Sequence, residues 1–550
     1  MSKWSAIAIL AAAQFVMVLD SSVMNVSISQ IVADLHTTVQ GVQLAITAYT
    51  LVMAAFMLVG AKIGDIWGRD RAFAIGLAVY GVGSLTTALS PNLAVLLLGW
   101  SLVEGLGAVL VMPAVAALIA ANYEGRDRAI AYAIMGGVAA SAVAAGPLIG
   151  GWVTTTFSWR LVFAGETVAV IGILLLRHRM KQSPRPADPP HLDPVGAALS
   201  AMGLSLIVFA VLMSSSWGWI QPRGALAIAG VAITPLGFSA VPFLILGGLG
   251  LLWAFASWTE RRERRGLDTL LDLALLKVVV LRAGLSTLFM NQFVLLGTFF
   301  VLPVYLQIVL GLNALETGLR IVPMSAMMLV AALAGPRLAA GRSVKRVSQI
   351  GFVALATGAG IILSSMEVAL DTVPFSLGLA VFGAGAGLLA SQLGNVIMSS
   401  VDPSRTNETG GLQGTAQNLG ASFGTALIGA ILLAGLTHGF VDRVQSNPAI
   451  PPDVASQIVA STTSKGLEMV SVEQAEQIAT QAGMSAADAA AVAQDYGEAQ
   501  LGALQNALGA VAFFAVLALW FTRKLPARAG DGASATDAPP GEPVAAVEPA

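Results

Sequence analysis

The chain contains no cysteine among its 550 residues, which excludes disulfides, thiolate metal sites and cysteine nucleophiles. Histidine is nearly as scarce, with four, and only 11% of the residues are charged, against about 25% in a soluble protein. A single soluble core of this length would also divide into smaller domains. The net charge of −2 offers no basic surface for nucleic acid. No glycine-rich phosphate loop, His–Glu zinc motif or serine-triad context occurs, so ATP-driven work and the common hydrolytic chemistries lack their groups. No cofactor and no metal is expected, and energy is expected from an ion gradient.

What the chain has in abundance is apolar length. It is 56% hydrophobic, with a mean hydropathy of +0.78. The apolar residues fall in runs of roughly 20, enough to cross about 30 Å of hydrocarbon as helices. The reading is an all-α integral membrane protein of about fourteen spans: 4–26, 42–61, 72–90, 94–121, 129–153, 160–176, 194–214, 237–257, 284–310, 318–336, 348–366, 373–396, 412–435 and 501–522. The first run, Trp4 to Ser27, has no convincing cleavage site and contains Asp20, so it reads as a retained span. Residues 436–500 are polar and alanine-rich, with two or three weakly amphipathic helical stretches such as Val472–Ala482 and Ala486–Gln500. Residues 183–190 read as a linker, and the Ala/Pro/Gly/Asp-rich tail 525–550 as disordered.

The bases fix the expected topology. With both termini inside, cytoplasmic segments hold 24 of the 29 Lys and Arg and the outer segments hold 5 (Arg160, Arg223, Arg320, Arg443 and Lys465). That is a strong positive-inside bias, and an odd number of spans would scramble it. Segment 436–500 then lies outside. His36, His178, His191 and His438 fall in expected loops, which makes them poor proton relays.

Three acids interrupt the apolar runs. Asp20 lies about 15 residues into the first span, more than halfway across at about 1.5 Å per residue. A central carboxylate costs roughly 2.5–3.5 kcal/mol on insertion scales, so such a group faces a bundle interior or a water-filled cavity. There it can exchange a proton near neutral pH; the alternative is a carboxylate paired or hydrated near the interface. Glu104 lies near the midplane of the fourth span, with a structural hydrogen bond as its alternative role. Glu166 lies nearer the outer interface of the sixth, where a hydrated cavity or hinge residue is equally compatible.

Four motifs carry a family resemblance. GAKIGDIWGRDR, with Gly64, Asp65, Gly68, Arg69 and Arg71, resembles the loop between spans 2 and 3 of the major facilitator superfamily, although Ala61 and Asp70 depart from it. LDSSVMNVSIS, with Asp20 and Asn25, resembles the first-span signature of its fourteen-span drug/proton antiporters, with Ser29 where the family has proline. WSLVEGLG resembles the fourth-span motif, but Ser101 replaces its arginine and Glu104 its glutamine, while Gly105 and Gly107 are kept. AGPLIGGW, with Gly146, Pro147, Gly150 and Gly151, resembles the antiporter motif of the fifth span, with Ala142 in place of a glycine. Tyr305, Leu306, Gln307, Gly311, Gly318 and Pro323 resemble the ninth and tenth spans.

The resemblance implies two six-helix halves, 1–176 and 283–524, each of inverted three-helix repeats. Residues 177–282 hold two additional spans and a basic segment. It also implies proton-driven export of hydrophobic or cationic small molecules across the bacterial cytoplasmic membrane, by a monomer working through alternating access. Asp20, Glu104 and Glu166 would carry the coupling protons, and the loop and fifth-span motifs would set the conformational balance. Asn25, Met53, Asn291, Gln292, Phe299, Gln392, Asn395 and Gln417 are the candidate substrate contacts, because polar, methionine and aromatic linings accept ligands of varied shape. Two alternatives remain: export of one metabolite or lipid-like compound, and a membrane sensor or scaffold using segment 436–500.

Overall fold

The computed structural model describes residues 4–526 apart from 124, 181–190, 223–225, 229–230, 340–342, 369, 403–404 and 466. The linker 183–190 and the tail beyond Pro526 lie outside the described residues. Fourteen long helices follow in order: α1 Ser5–Val26, α2 Val39–Trp67, α3 Arg69–Ala88, and α4, built from Leu93–Leu96, a π-helical stretch Leu97–Glu104 and Gly105–Asn122. Then come α5 Gly125–Thr156, α6 Arg160–Leu176, α7 Pro194–Trp217, α8 Ala240–Glu263, and α9, Val279–Val304 continued by the π-helical Tyr305–Val309. The last five are α10 Ala314–Ala339, α11 Val344–Ser364, α12 Thr372–Ser399, α13 Thr406–Ser446 and α14 Ala486–Phe521.

Among the described residues, 12 helices are long and apolar enough to cross a membrane. The two others of the fourteen, α3 and α6, occupy the places of the expected third and sixth spans. The first opens with Arg69, Asp70 and Arg71, and the second has 17 residues. The fold is helical almost throughout. Its one sheet among the described residues is an antiparallel pair of three-residue strands, β1 Leu226–Ile228 and β2 Val231–Ile233. This hairpin and the turn at Pro235–Gly237 consume the first part of the long apolar run, so α8 starts at Ala240 rather than at 237.

Side-chain caps satisfy the free amides at several helix starts. Thr38 caps α2, Asn92 caps α4, Ser343 caps α11 and Asp371 caps α12. Asp193 does more. It caps α7 through the Gly196 amide and accepts from Trp258 Nε1 at 3.1 Å, which ties α7 to α8. Gly68, at φ +92°, makes the turn between α2 and α3, a conformation that favours glycine.

Helices α1–α6 pack on one another, as do α9–α14, while α7 and α8 pair and α7 lies against both α2 and α13. The first group meets the second most extensively through α2 with α13 and α5 with α10, and also through α4 with α13 and α1 with α9 and α10. We call the end of the bundle holding the α1–α2 turn the far end, and the opposite end the terminal end.

Segment 436–500 holds the expected helical stretches at 472–482 and 486–500. The helices α13 and α14 run past the expected limits of 435 and 501 into this segment, so His438 is helical and Ala486–Gln500 is the first part of α14. Helices Pro452–Lys465 and Val472–Gln481 complete a cap. Phe440 packs edge-on against Tyr496, whose hydroxyl donates to the Glu468 carbonyl at 2.7 Å. Gln40 of α2 reaches the Leu467 carbonyl at 3.3 Å, so the cap touches both helix groups.

Candidate functional site

The three acids that interrupt the apolar runs converge. Carboxylate oxygens of Asp20 on α1, Glu104 on α4 and Glu166 on α6 lie within 4.8 Å of one another. Exposure is 0% for Asp20 and Glu104 and 3% for Glu166, so water does not screen them. Glu166 is thus not a hydrated side chain, which its place in the sequence left open, but part of a buried cluster.

Close helix packing makes this approach possible. A side chain at Gly83 of α3 would come within 2.5 Å of the Glu104 amide nitrogen, and one at Gly107 would strike the backbone of Tyr80. The kept Gly107 of the fourth-span motif therefore sets the α3–α4 distance. The π-helical stretch ends at Glu104 and contains Trp100. Such stretches re-aim side chains relative to a regular helix and occur often at functional sites.

Each acid meets a different set of partners. Trp100 Nε1 donates to both Asp20 oxygens, at 2.9 and 3.0 Å. The Trp100 ring stacks on Tyr49 of α2, with centroids 4.7 Å apart and planes at 4°. Ser84 of α3 meets Glu166 Oε2 at 3.0 Å and the Phe163 carbonyl at 3.0 Å. Neither oxygen of Glu104 receives an N–H or O–H, and Glu166 Oε1 and the buried Tyr80 hydroxyl also lack a hydrogen-bond partner. Ser101, in the place of the family's arginine, donates to the Ala45 carbonyl at 2.9 Å and ties α4 to α2.

The charge balance is the unusual property. No lysine, arginine or histidine lies within α1 or α4, and the only one in α6, Arg160, is paired with Asp34 at 2.7 Å. Two like charges at this separation repel by roughly 3–4 kcal/mol at an effective dielectric of about 20. Three ionised carboxylates without a base are therefore not stable together. Tyr49, Tyr80 and Trp100 carry no charge and escape a search for acids; the tryptophan beside Ser101 in the fourth-span motif is the one available signal.

Trp100→Phe would keep an aromatic ring beside Tyr49 and remove the N–H that holds Asp20. The expected loss of stability is about 1–3 kcal/mol, the cost of unpairing a buried polar group. Circular-dichroism melting of the purified variant checks it, and a wild-type melting curve would show that the indole N–H does not hold Asp20.

The opposite face of α1 meets the fifth-span motif. A side chain at Gly146 would strike Ser22, and one at Gly150 would come within 2.7 Å of Val23. From the other side of α5, Gly151 would meet the Ala314 carbonyl at 2.5 Å, and the Pro147 carbonyl lies against Gly318 of α10. Thr155 Oγ1 accepts from the Leu315 amide at 3.0 Å. At the far end of α1, Ser29 Oγ donates to Gln307 Oε1 at 2.7 Å, and Gln307 Nε2 donates to the Val26 carbonyl at 2.8 Å. Thus α1 carries an acid of the cluster on one face and touches α5, and through its far end α9, on others.

The loop motif sits at the terminal end. Asp65 and Arg69 are partly buried and Arg71 is exposed. Glu408, in the first turn of α13, lies in the field of Lys62, Asp65, Asp272 and Arg405, so this loop faces the second helix group. Nearby, outside the spans, hydrogen bonds from the His191 amide and ring hold the Asp268 carboxyl below its ordinary range.

The candidate substrate contacts are dispersed over α1, α2, α9, α12 and α13. Asn25 donates to Ser21 O, Asn291 to Gln292 and Gln392 to Ser391, all within their own helices. Met53 and Phe299 are buried, Gln417 is half-buried and Asn395 is exposed.

Comparison with known proteins gives a family. The profile described as Major Facilitator Superfamily matches residues 10–223 and again 210–425. The chain is 30% identical over 451 residues to "Drug efflux pump JefA" of Mycobacterium tuberculosis, covering 81% of this chain and 83% of that protein. It is 27% identical over 473 residues to "Tetracenomycin C resistance and export protein" of Streptomyces glaucescens, covering 83% and 81%. Among solved structures, a bacterial homolog of the human lysosomal transporter Spinster, inward-facing and unoccupied, superposes with a TM-score of 0.58 at 14% identity, covering 94% of this chain and 96% of that one.

Proposed function

The chain belongs to the major facilitator superfamily, and from that premise we propose that it exports hydrophobic or cationic small molecules in exchange for protons. As a member it is a multi-pass membrane transporter and not an enzyme. The observation that carries the finer reading is the buried trio Asp20, Glu104 and Glu166, which has no base to neutralise it. Protons are the smallest charges that can do so, and acids inside spans mark proton relays. Relatives named as efflux pumps and export proteins support the direction of transport.

In this reading the far end faces outside, which the distribution of bases supports, and the termini are cytoplasmic. The far end is closed here by α5 on α10 and by Gln307 on α1. Protons arriving from outside neutralise the cluster, and their release inside restores its charge. Because α1 carries both Asp20 and the contacts to α5 and α9, a change of charge on one face alters the packing that closes the far end. Alternating access follows when two such packings differ by a few kcal/mol or less. The loop at Asp65 and Arg69 would set the balance from the terminal end. The chain would work as a monomer in the bacterial cytoplasmic membrane.

A single dedicated substrate is the second reading, favoured by the relative named for one compound. Purified protein in liposomes under an imposed pH gradient tests both. Gradient-dependent movement of several unrelated cations supports the first reading. Movement of one compound, with no competition by others, supports the second. No gradient-dependent movement of any compound would refute proton coupling.

A further inference from the structure

We propose that Asp20, Glu104, Glu166 and Tyr80 form a binding site for a dehydrated alkali cation of sodium size, which competes there with protons. The inference rests on reading the cluster as the coupling site, and it goes beyond it by naming a second coupling ion. Three oxygen-bearing carboxyls within 4.8 Å of one another provide a hard, anionic ligand set. The second observation is independent of their charge. The Tyr80 hydroxyl is at 0% exposure, lies beside all three acids and makes no hydrogen bond of its own. A buried hydroxyl in that position costs free energy unless something accepts it or it binds an ion.

The count of free oxygens selects the ion. Both Asp20 oxygens already accept from Trp100, and Glu166 Oε2 already meets Ser84. Glu104 Oε1 and Oε2, Glu166 Oε1 and the Tyr80 hydroxyl remain. Calcium takes about six to eight oxygens, and magnesium keeps several waters in a near-octahedral shell. A fully buried site with four free oxygens, and two more from Asp20 that are shared with Trp100, lies at or below calcium's lower limit and excludes the waters that magnesium keeps. It fits a monovalent cation, which also leaves the residual charge small enough for the remaining protons to neutralise. There is no nitrogen or sulfur ligand to favour a transition metal.

Competition with protons follows from the ligands, since a carboxyl must be deprotonated to bind a cation. The titratable groups facing the site are Asp20 from α1, Tyr49 from α2, Tyr80 from α3, Glu104 from α4 and Glu166 from α6. No base among the described residues contacts it. α5 packs on the opposite face of α1.

The test is equilibrium binding of 22Na+ to the purified full chain by scintillation proximity, in sodium-free choline buffers from pH 6 to pH 9. Saturable binding at high pH is expected, weakening about tenfold per pH unit where one proton is displaced. Glu104→Gln removes two of the four free oxygens as anionic ligands and should abolish it. Tyr80→Phe removes one neutral oxygen and should weaken it while leaving the helices packed. Glu316→Gln, an exposed acid at the start of α10, should bind as wild type. No saturable binding to folded wild type overturns the proposal. So does binding that both Glu104→Gln and Tyr80→Phe leave unchanged, or saturable 45Ca2+ binding that sodium does not displace. Export driven by a pH gradient in sodium-free liposomes separates the two readings. If it proceeds while 22Na+ does not bind, proton coupling stands and the cation site falls; if 22Na+ binds and that export is absent, the reverse holds.

Discussion

Asp20→Asn is expected to fold, reach the membrane and lose gradient-driven export, down to the level of empty liposomes. The substitution is nearly isosteric. Its Oδ1 can still accept from Trp100 Nε1, which holds the native carboxylate at 2.9 Å, so the Tyr49–Trp100 stack has no reason to move. What disappears is one of three titrating groups and its negative charge. The cluster then needs less compensating charge, and proton release on the inner side no longer restores the field that distinguishes its two states. Exchange of substrate for substrate, which needs no net proton movement, should survive. Measuring both activities in the same liposomes checks the assignment. Undiminished gradient-driven export by Asp20→Asn would remove Asp20 from coupling and leave Glu104 and Glu166 to carry it.

The individual acids were legible in the sequence because each breaks an apolar run. Their meeting was not. Asp20, Glu104 and Glu166 are separated by more than 60 residues at each step, and whether their helix faces converge depends on rotation and distance between helices. Here those are set by Gly83 against Glu104, by Gly107 against Tyr80 and by the π-helical stretch at Leu97–Glu104. A glycine in an apolar run looks the same whether it faces open space, as Gly360 does with nothing near it, or another backbone. For the same reason the burial of Glu166 by its neighbours was not legible. Counting residues from an expected interface places a side chain along the membrane normal but says nothing about which neighbour covers it. The helices themselves were well marked by length and hydropathy, including α3 and α6, whose charged start or short length weakens the signal. The helical stretches at 472–482 and 486–500 were marked by their amphipathic pattern; that the second is continuous with α14, and that α13 runs on to Ser446, was not, because alanine-rich polar helices owe their stability to each other and to the cap rather than to a membrane.

Gly318→Val is expected to open the far end. In the structure the Pro147 carbonyl of α5 lies so close to Gly318 of α10 that even a methyl group would overlap it, and Gly151 makes the reciprocal contact with Ala314. A valine cannot be accommodated by a side-chain shift, because the obstacle is backbone. Overpacking of this kind costs about 1–3 kcal/mol, and it falls only on the state in which α5 and α10 touch. That is about 5- to 150-fold in the ratio of two conformations, enough to make the far-end-open state dominant if the two are otherwise balanced. Turnover should fall with it, since each cycle must pass through far-end closure, while the carboxylate cluster is untouched. The absence of native cysteines allows spin labels to be placed at Phe157 and Val368, both exposed, without prior substitutions. Electron–electron distance measurement should show a longer separation in Gly318→Val than in wild type. Gly360→Val, which adds the same side chain where nothing lies within 4 Å, should leave the distribution unchanged. An unchanged distribution in Gly318→Val would mean that the α5–α10 contact does not gate the far end, and that closure rests on α1 and Gln307 instead.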